Sequence, residues 1–325
     1  MVQSQLTFRN ALGLAAVVLQ AILGGGRISG SYAWATTSPS LRSVRSSSSS
    51  SSSLQAESTV APSATGVPFS AIVGNGRIGG ALSDAGNCVV LGRGDSIDAN
   101  GEGPILLATR NDALDGIVES CPPNRRKDLV FLQNGYLDDF LESKGLSDNT
   151  QVLLYLSVSA KGVAPTDGVT AFNPEGLTAS TGEWADAFAG RLAALDLKCN
   201  VVSGKDYRPA MFEKLMWIST YMLVGAANDC PTVGDAGRDH SSTVEAIVAE
   251  LVEAVSASEG ISFPPGTMDR LSSYTDVVAD FPCGVKEFEW RNKYFWDLGD
   301  EAVPTHNGLL RECAAKGILS FELPE

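Results

Sequence analysis

Gly74, Gly76 and Gly79 follow directly on the apolar run Phe69-Ser70-Ala71-Ile72-Val73. A G-x-G-x-x-G between a strand and a helix suits a dinucleotide. Its first glycine makes the tight turn, its second lets backbone approach a pyrophosphate, and its third lets helix pack closely on strand. The phosphates then rest on the free N–H groups that open the helix. The cofactor-binding residues expected on this turn are Gly74, Asn75, Gly76, Arg77, Ile78 and Gly79. An ordinary glycine-rich turn competes, since the chain has 33 glycines. The apolar run before the turn and the helix-compatible Arg77-Ile78-Gly79-Gly80-Ala81-Leu82 after it favour the dinucleotide.

Lys214 is the second chemical group. It sits in a stretch that is apolar almost all round, from Met211 and Phe212 to Met222 and Leu223. Burial disfavours an ammonium and lowers its pKa toward the range where it can donate and retake a proton near neutrality. Lys214 is therefore a candidate general acid for a carbonyl receiving a hydride; snorkelling to the surface is the plainer alternative. The histidines, His240 and His306, show no H-x-x-x-H spacing, and the six cysteines form no C-x-x-C, so no metal site is expected. The cysteines read as mostly free thiols in a reducing compartment, with a disulfide-bonded secreted protein as the competing reading.

Positioning these groups requires a parallel sheet with crossovers. From residue 67 onward, short apolar runs alternate with helical stretches. Strands are expected over 69–73, 88–91, 104–109, 128–132 and 152–158, with a last one at Val201-Val202. Helices are expected at about 77–84, 113–120 and 183–195. Arg93 is the first side chain beyond the second strand, where a cation accommodates the 2′-phosphate of NADP; Asp95 keeps NAD open, because an acid there takes the ribose hydroxyl. Asn134, in Gln133-Asn134-Gly135, leaves a strand end where an amide reaches a nicotinamide or a substrate hydroxyl, or else merely suits a left-handed turn.

The second half reads as helical. Its first helix is expected over 209–226, with Pro209 in the first turn. A second is capped by the S-x-x-E box Ser242-Thr243-Val244-Glu245. Shorter ones are expected over 268–280, 285–298 and 305–315. The domains are thus 1–66, a leader; 67–205, a dinucleotide-binding domain; and 206–325, a helical catalytic domain. The fold class is α/β, a Rossmann-type domain followed by an all-helical one.

The first 56 residues contain no Asp or Glu, and their only charged side chains are Arg9, Arg27, Arg42 and Arg45. Their apolar core, 11–23, suits a signal peptide and is short of the roughly 20 residues that span a bilayer, so no permanent membrane anchor is expected. A Ser/Arg-rich stretch follows, with eight serines from Ser46 to Ser53. Together these resemble the bipartite leaders of complex plastids, and plastid localisation is expected; a secretory signal with a Ser-rich linker is the alternative. Beyond residue 56, 20 of the 24 basic residues remain against all 38 acidic ones, a charge near −18. A surface of that sign repels nucleic-acid phosphates.

Four further motifs occur in order: Glu213-Lys214-Leu215; Leu271-Ser272-Ser273-Tyr274-Thr275-Asp276; Lys286-Glu287-Phe288-Glu289-Trp290-Arg291-Asn292; and Val303-Pro304-Thr305-His306-Asn307. With the glycine turn and Gln133-Asn134-Gly135, the chain resembles the ketopantoate reductases (2-dehydropantoate 2-reductases) over nearly all of 69–317. The resemblance implies reduction of a 2-oxo acid, ketopantoate to pantoate, by NADP(H). It implies Lys214 and Glu287 as catalytic residues and Asn134, Ser272, Ser273 and Asn292 as substrate-binding ones. The partner is then a small-molecule 2-oxo acid, with a homodimer left open. Without the resemblance, Glu287 reads as one face of a charged helix with Arg291 at i+4. Another hydroxy-acid dehydrogenase and a non-catalytic dinucleotide-binding protein are the alternatives. The chain departs from the family at Ile218, four residues past the lysine where an asparagine stands, and at Asn111, often a lysine. The helix after the glycine turn is also short, and 95–103 leaves little room for the usual third strand.

Overall fold

The computed structural model describes residues 66–324, so the leader lies outside the described residues apart from Gly66. The chain opens with β1 (Ser70–Val73), the glycine turn, α1 (Arg77–Ser83) and β2 (Cys88–Leu91). It continues through β3 (Ile105–Leu107), α2 (Leu114–Ser120), β4 (Leu129–Phe131), α3 (Asp138–Lys144) and β5 (Thr150–Leu153). A two-stranded hairpin, β6 (Leu156–Ser157) and β7 (Thr166–Asp167), precedes β8 (Ala179–Thr181), α4 (Ala185–Ala193) and β9 (Asn200–Val201).

Seven strands form one sheet in the order β2-β1-β3-β4-β5-β8-β9. The first five run parallel; β8 is antiparallel to β5, and β9 is parallel to β8. No strand lies between β2 and β3 among the described residues, as the cramped 95–103 segment implies. The pleat sorts the apolar side chains. Ile105, Leu107 and Phe131 meet Leu114 and Val118 of α2 and Leu141 of α3 on one face. Ile72, Leu106, Val130 and Val152 meet Phe188 and Leu192 of α4 on the other. Strands covered on both faces read as continuous apolar runs, which is why these were legible.

The strand expected over 152–158 divides instead. β5 begins at Thr150 and stops at Leu153, after which the Tyr155 N–H takes the Thr178 hydroxyl at 3.0 Å rather than a neighbouring strand. The sheet is thereby closed off and the Leu154 carbonyl released from it.

From Gly204 the described chain is helical: α5 (Gly204–Ala227), α6 (Val233–Asp239), α7 (Ser241–Glu259), α8 (Thr267–Val277), α9 (Phe288–Arg291), α10 (Lys293–Asp297) and α11 (Pro304–Ala315). α5 starts five residues earlier than expected. Ser203 caps it by accepting from the Asp206 N–H, so Pro209 lies inside the helix and removes one backbone donor. Burial of the helix from Met211 onward, against β5, β8, α7 and α8, offsets that loss.

The box at Ser242 is not made. Only His240 separates α6 from α7, so α7 begins at Ser241 and Ser242 is already helical. The helix expected over 285–298 is two short ones, because Glu287 is left-handed (φ 51°) and Asn292 breaks the spiral. α6 is rich in glycine for a packing reason. A Cβ on Gly234 would come 2.9 Å from the Ala279 Cβ, and one on Gly237 would come 3.1 Å from the Tyr221 ring. No helix among the described residues is long and apolar enough to cross a membrane.

Candidate active site

The glycine turn has the geometry its sequence demands. Gly74 is left-handed (φ 109°), and a Cβ there would lie 2.5 Å from the Ala108 carbonyl oxygen. A Cβ on Gly79 would lie 1.8 Å from the Gly74 oxygen, so the helix can pack against the turn only if this residue is glycine. A Cβ on Gly76 would meet nothing within 4 Å, leaving the outer face of the turn open to a ligand. β1 and β3 are neighbours here while β2 leaves on the other side, so the turn sits where the strand order reverses, the place open α/β sheets bind nucleotides. At the same point the Thr109 hydroxyl is buried without a hydrogen-bond partner, and its methyl is 3.0 Å from the Cβ position of Gly74. A buried polar atom of that kind requires a partner, and a dinucleotide on the turn would bring one. The residues present fit such a group.

Beyond β2, Arg93 is exposed and forms no ion pair among the described residues. Asp95 is committed elsewhere: its carboxylate accepts the Gly92 N–H at 2.7 Å. No side chain cap is made at Gly76, and no acid stands in the first turn of α1 to oppose an anion.

Lys214 lies in the middle of α5 and is 5% exposed. Its ammonium donates to the freed Leu154 carbonyl at 2.5 Å and rests over the Tyr155 ring, 4.6 Å from the centroid. Loss of water, and then the Arg291 guanidinium, bring its pKa down to about 7. Snorkelling is excluded by this burial. A cavity of about 10 Å³, lined in part by Gln133, Gly135, Tyr207 and Met211, adjoins it.

Glu287 approaches this region through Arg291, to which it is ion-paired at 2.5 Å. Ser219, next to the family's missing asparagine, donates to the Arg291 carbonyl at 2.6 Å, while Ile218 is packed in the core. The Asn134 side chain is exposed; its carbonyl accepts from Asn111 at 3.0 Å, so the buried Asn111 amide pins the loop where the family often has a cation. Gly135 is left-handed (φ 122°), and a Cβ there would come 2.3 Å from the Trp290 oxygen. That carbonyl accepts the Tyr136 N–H at 2.7 Å, joining the Gln133-Asn134-Gly135 loop directly to α9.

Of the serines on α8, Ser272 faces the Tyr221 hydroxyl at 3.4 Å, and Ser273 is half-buried with no hydrogen bond among the described residues. Asn292 is 3% exposed and meets the His306 ring at 3.2 Å. Burial drives His306 down to about 4, so its ring is neutral and donates once. Asn307 is oriented by its own bonds to Trp296 and Asp300 and presents its oxygen to Nδ1 at 3.0 Å. Nδ1 therefore carries the ring proton and donates it to the Asn307 oxygen. The fold brings Lys214, Arg291, Glu287 and the 133–135 loop into one region; it sets Asn292 into the His306 network behind it.

Sequence reasoning missed two charged groups. Glu213, adjacent to Lys214, is buried in a fork with Arg270 (Nε to carboxylate 3.0 Å), and Thr267 donates to the same carboxylate at 3.1 Å. Arg208 bridges Asp138 of α3 and Glu259 of α7 at 2.5 Å each. Nothing local marks either arrangement, because each partner lies at least 50 residues away along the chain. Among the described residues no group of three or more His, Cys, Asp or Glu could hold a metal, and all six cysteines are free.

No protein-family model and no curated protein sequence matches the chain. Solved structures do. A PanE/ApbA family ketopantoate reductase from Ralstonia eutropha JMP134 is 16% identical with a TM-score of 0.58, over 77% of this chain and 98% of that one. A D-mandelate dehydrogenase, solved with NADH and anilino(oxo)acetate, is 14% identical with a TM-score of 0.57 over the same shares. A dimeric ketopantoate reductase from Staphylococcus aureus is 16% identical, TM-score 0.54, over 76% and 98%. The structural neighbours of this chain are ketopantoate reductases and D-mandelate dehydrogenase, and it carries their fold: a Rossmann-type domain followed by a helical one.

Proposed function

We propose that the chain is a divergent ketopantoate reductase, an oxidoreductase that reduces a 2-oxo acid with NADPH, ketopantoate to pantoate being the first substrate to test. The observation that carries the reading is Lys214, an amine wholly buried beside the 133–135 loop and poised at about 7. Such an amine is protonated enough to donate near neutrality and releases its proton readily. When bound, the dinucleotide supplies the hydride.

The glycine turn, residues 74–79, would hold the pyrophosphate, and Arg93, which has no competing carboxylate, would take the 2′-phosphate. Lys214 would protonate the carbonyl oxygen, exchanging its Leu154 acceptor for the substrate. Arg291, held by Glu287, supplies positive charge for a carboxylate and keeps Lys214 easy to deprotonate. Asn134 and the unpaired Ser273 complete the substrate set, with Ser272 and Asn292 behind them. The D-mandelate dehydrogenase neighbour supports the coarser class, since its bound anilino(oxo)acetate carries an oxo group beside a carboxylate, as a 2-oxo acid does. The dimeric neighbour supports a homodimer, and the leader supports plastid targeting.

Steady-state oxidation of NADPH with ketopantoate tests this. Wild type should turn over and Lys214→Ala should lose at least about 10²-fold in kcat, the scale of a general acid. Turnover with other 2-oxo acids but not ketopantoate would move the chain to a different hydroxy-acid dehydrogenase. NADPH binding with no turnover on any 2-oxo acid would leave a non-catalytic dinucleotide-binding protein.

A further inference from the structure

The β6–β7 hairpin, inserted between β5 and β8, does not stay on its own edge of the sheet but returns to the glycine turn. The start of its connecting loop is fixed there: Val158 is buried, and the Arg77 guanidinium donates to the carbonyls of Val158 (3.1 Å) and Ser159 (3.3 Å). Arg77, the cation closest in sequence to the turn, is thus occupied in holding the hairpin.

Two residues on, Lys161 is exposed and lies flat over α1. Its Cγ and Cε are 3.8 Å from the Cβ position of Gly80, and its amine comes back to the turn itself. There Nζ donates to the Asn75 side-chain oxygen at 2.7 Å and to the Asn75 carbonyl at 3.1 Å. Both acceptors are neutral amides, and Lys161 forms no ion pair among the described residues. An ammonium gains more from an anionic oxygen than from an amide. Beside Asn75, the outer face of Gly76 is the open one, where a dinucleotide's pyrophosphate lies.

We propose that Lys161 is a pyrophosphate ligand: it leaves its two Asn75 acceptors for a phosphate oxygen of a dinucleotide seated on the 74–79 turn, so that the hairpin straps the cofactor in place. The proposal rests on the dinucleotide reading of that turn. It also answers the charge problem of a body near −18, which can hold a doubly anionic diphosphate only where a cation is brought to it.

The test is binding, not turnover: NADPH fluorescence titration, and competition by 2′-AMP, which carries the 2′-phosphate without the pyrophosphate. Lys161→Met should weaken NADPH about tenfold, Lys161→Arg should restore it to within about threefold, and 2′-AMP should be unchanged. Equal NADPH affinity in wild type and Lys161→Met would overturn the assignment and leave the dinucleotide reading standing. A matching loss for 2′-AMP would also overturn it, by showing a general charge effect. If the wild type binds neither NADPH nor NADH, the reading of the turn falls and the proposal with it.

Discussion

The ammonium of Lys214 sits on the face of the Tyr155 ring, 4.6 Å from its centroid, while donating to the carbonyl of Leu154. One element thus supplies both supports: the two residues following β5 give a dipole and a π face to the same amine. The ring favours the charged form against the burial that disfavours it, so Tyr155 tunes the amine as well as packing it.

Tyr155→Leu should therefore lower the pKa of Lys214 below about 7, moving the alkaline limb of the kcat/KM profile about one pH unit toward acid. With Lys214 as the proposed proton donor, the wild-type rate should fall as pH rises through about 7. Tyr155→Phe keeps the ring and should keep the wild-type profile, which separates tuning from packing.

The same amine sets a pH dependence of stability. Between about 7 and the ordinary lysine value of 10.5, the unfolded chain holds a proton that the folded one has lost, so Lys214 makes stability rise with pH across that window. Urea midpoints at pH 7 and pH 9 should show this slope, and it should flatten in Lys214→Met.

His306 acts at lower pH. Its folded value of about 4 lies below the ordinary 6.5, so the unfolded chain is protonated first and stability falls as pH drops from about 6.5 to 4. The loss attributable to this ring is at most ~3 kcal/mol. Comparing acid denaturation of wild type and His306→Gln should show the variant less sensitive across that interval.

Glu213 and Arg270 form a fork with little access to water. Glu213→Ala leaves a buried guanidinium without its carboxylate and should cost about 3 kcal/mol by chemical denaturation. Glu213→Leu with Arg270→Met should recover most of that, because both charges are removed together.

Arg93 governs cofactor choice if the turn holds NADPH. Arg93→Leu should weaken NADPH about tenfold while leaving NADH within about twofold. Equal wild-type affinity for the two cofactors would assign no role to Arg93.

Much of this molecule was legible locally. The glycine spacing announced a turn whose first and third positions tolerate no side chain, and the apolar runs at 70–73, 105–107 and 129–131 announced strands buried on both faces. The all-round apolar helix left Lys214 either buried or snorkelling, and the fold buries it. Each follows from the period of a single element or the steric demand of a single residue, information carried within a few neighbours.

Tertiary structure decided what those groups face. Lys214 finds the Leu154 carbonyl from 60 residues away, and that carbonyl is available only because β5 ends at Leu153. Lys161 reaches Asn75 across 86 residues. Asn292, read as a substrate residue, meets His306 because a helix expected to run through it breaks there. No local pattern encodes such contacts, because they arise when separate elements compete for the same buried donors and acceptors; the sequence by itself determined the glycine turn and the strands covered on both faces, and the packing of helix on sheet buried the amine and chose the partners.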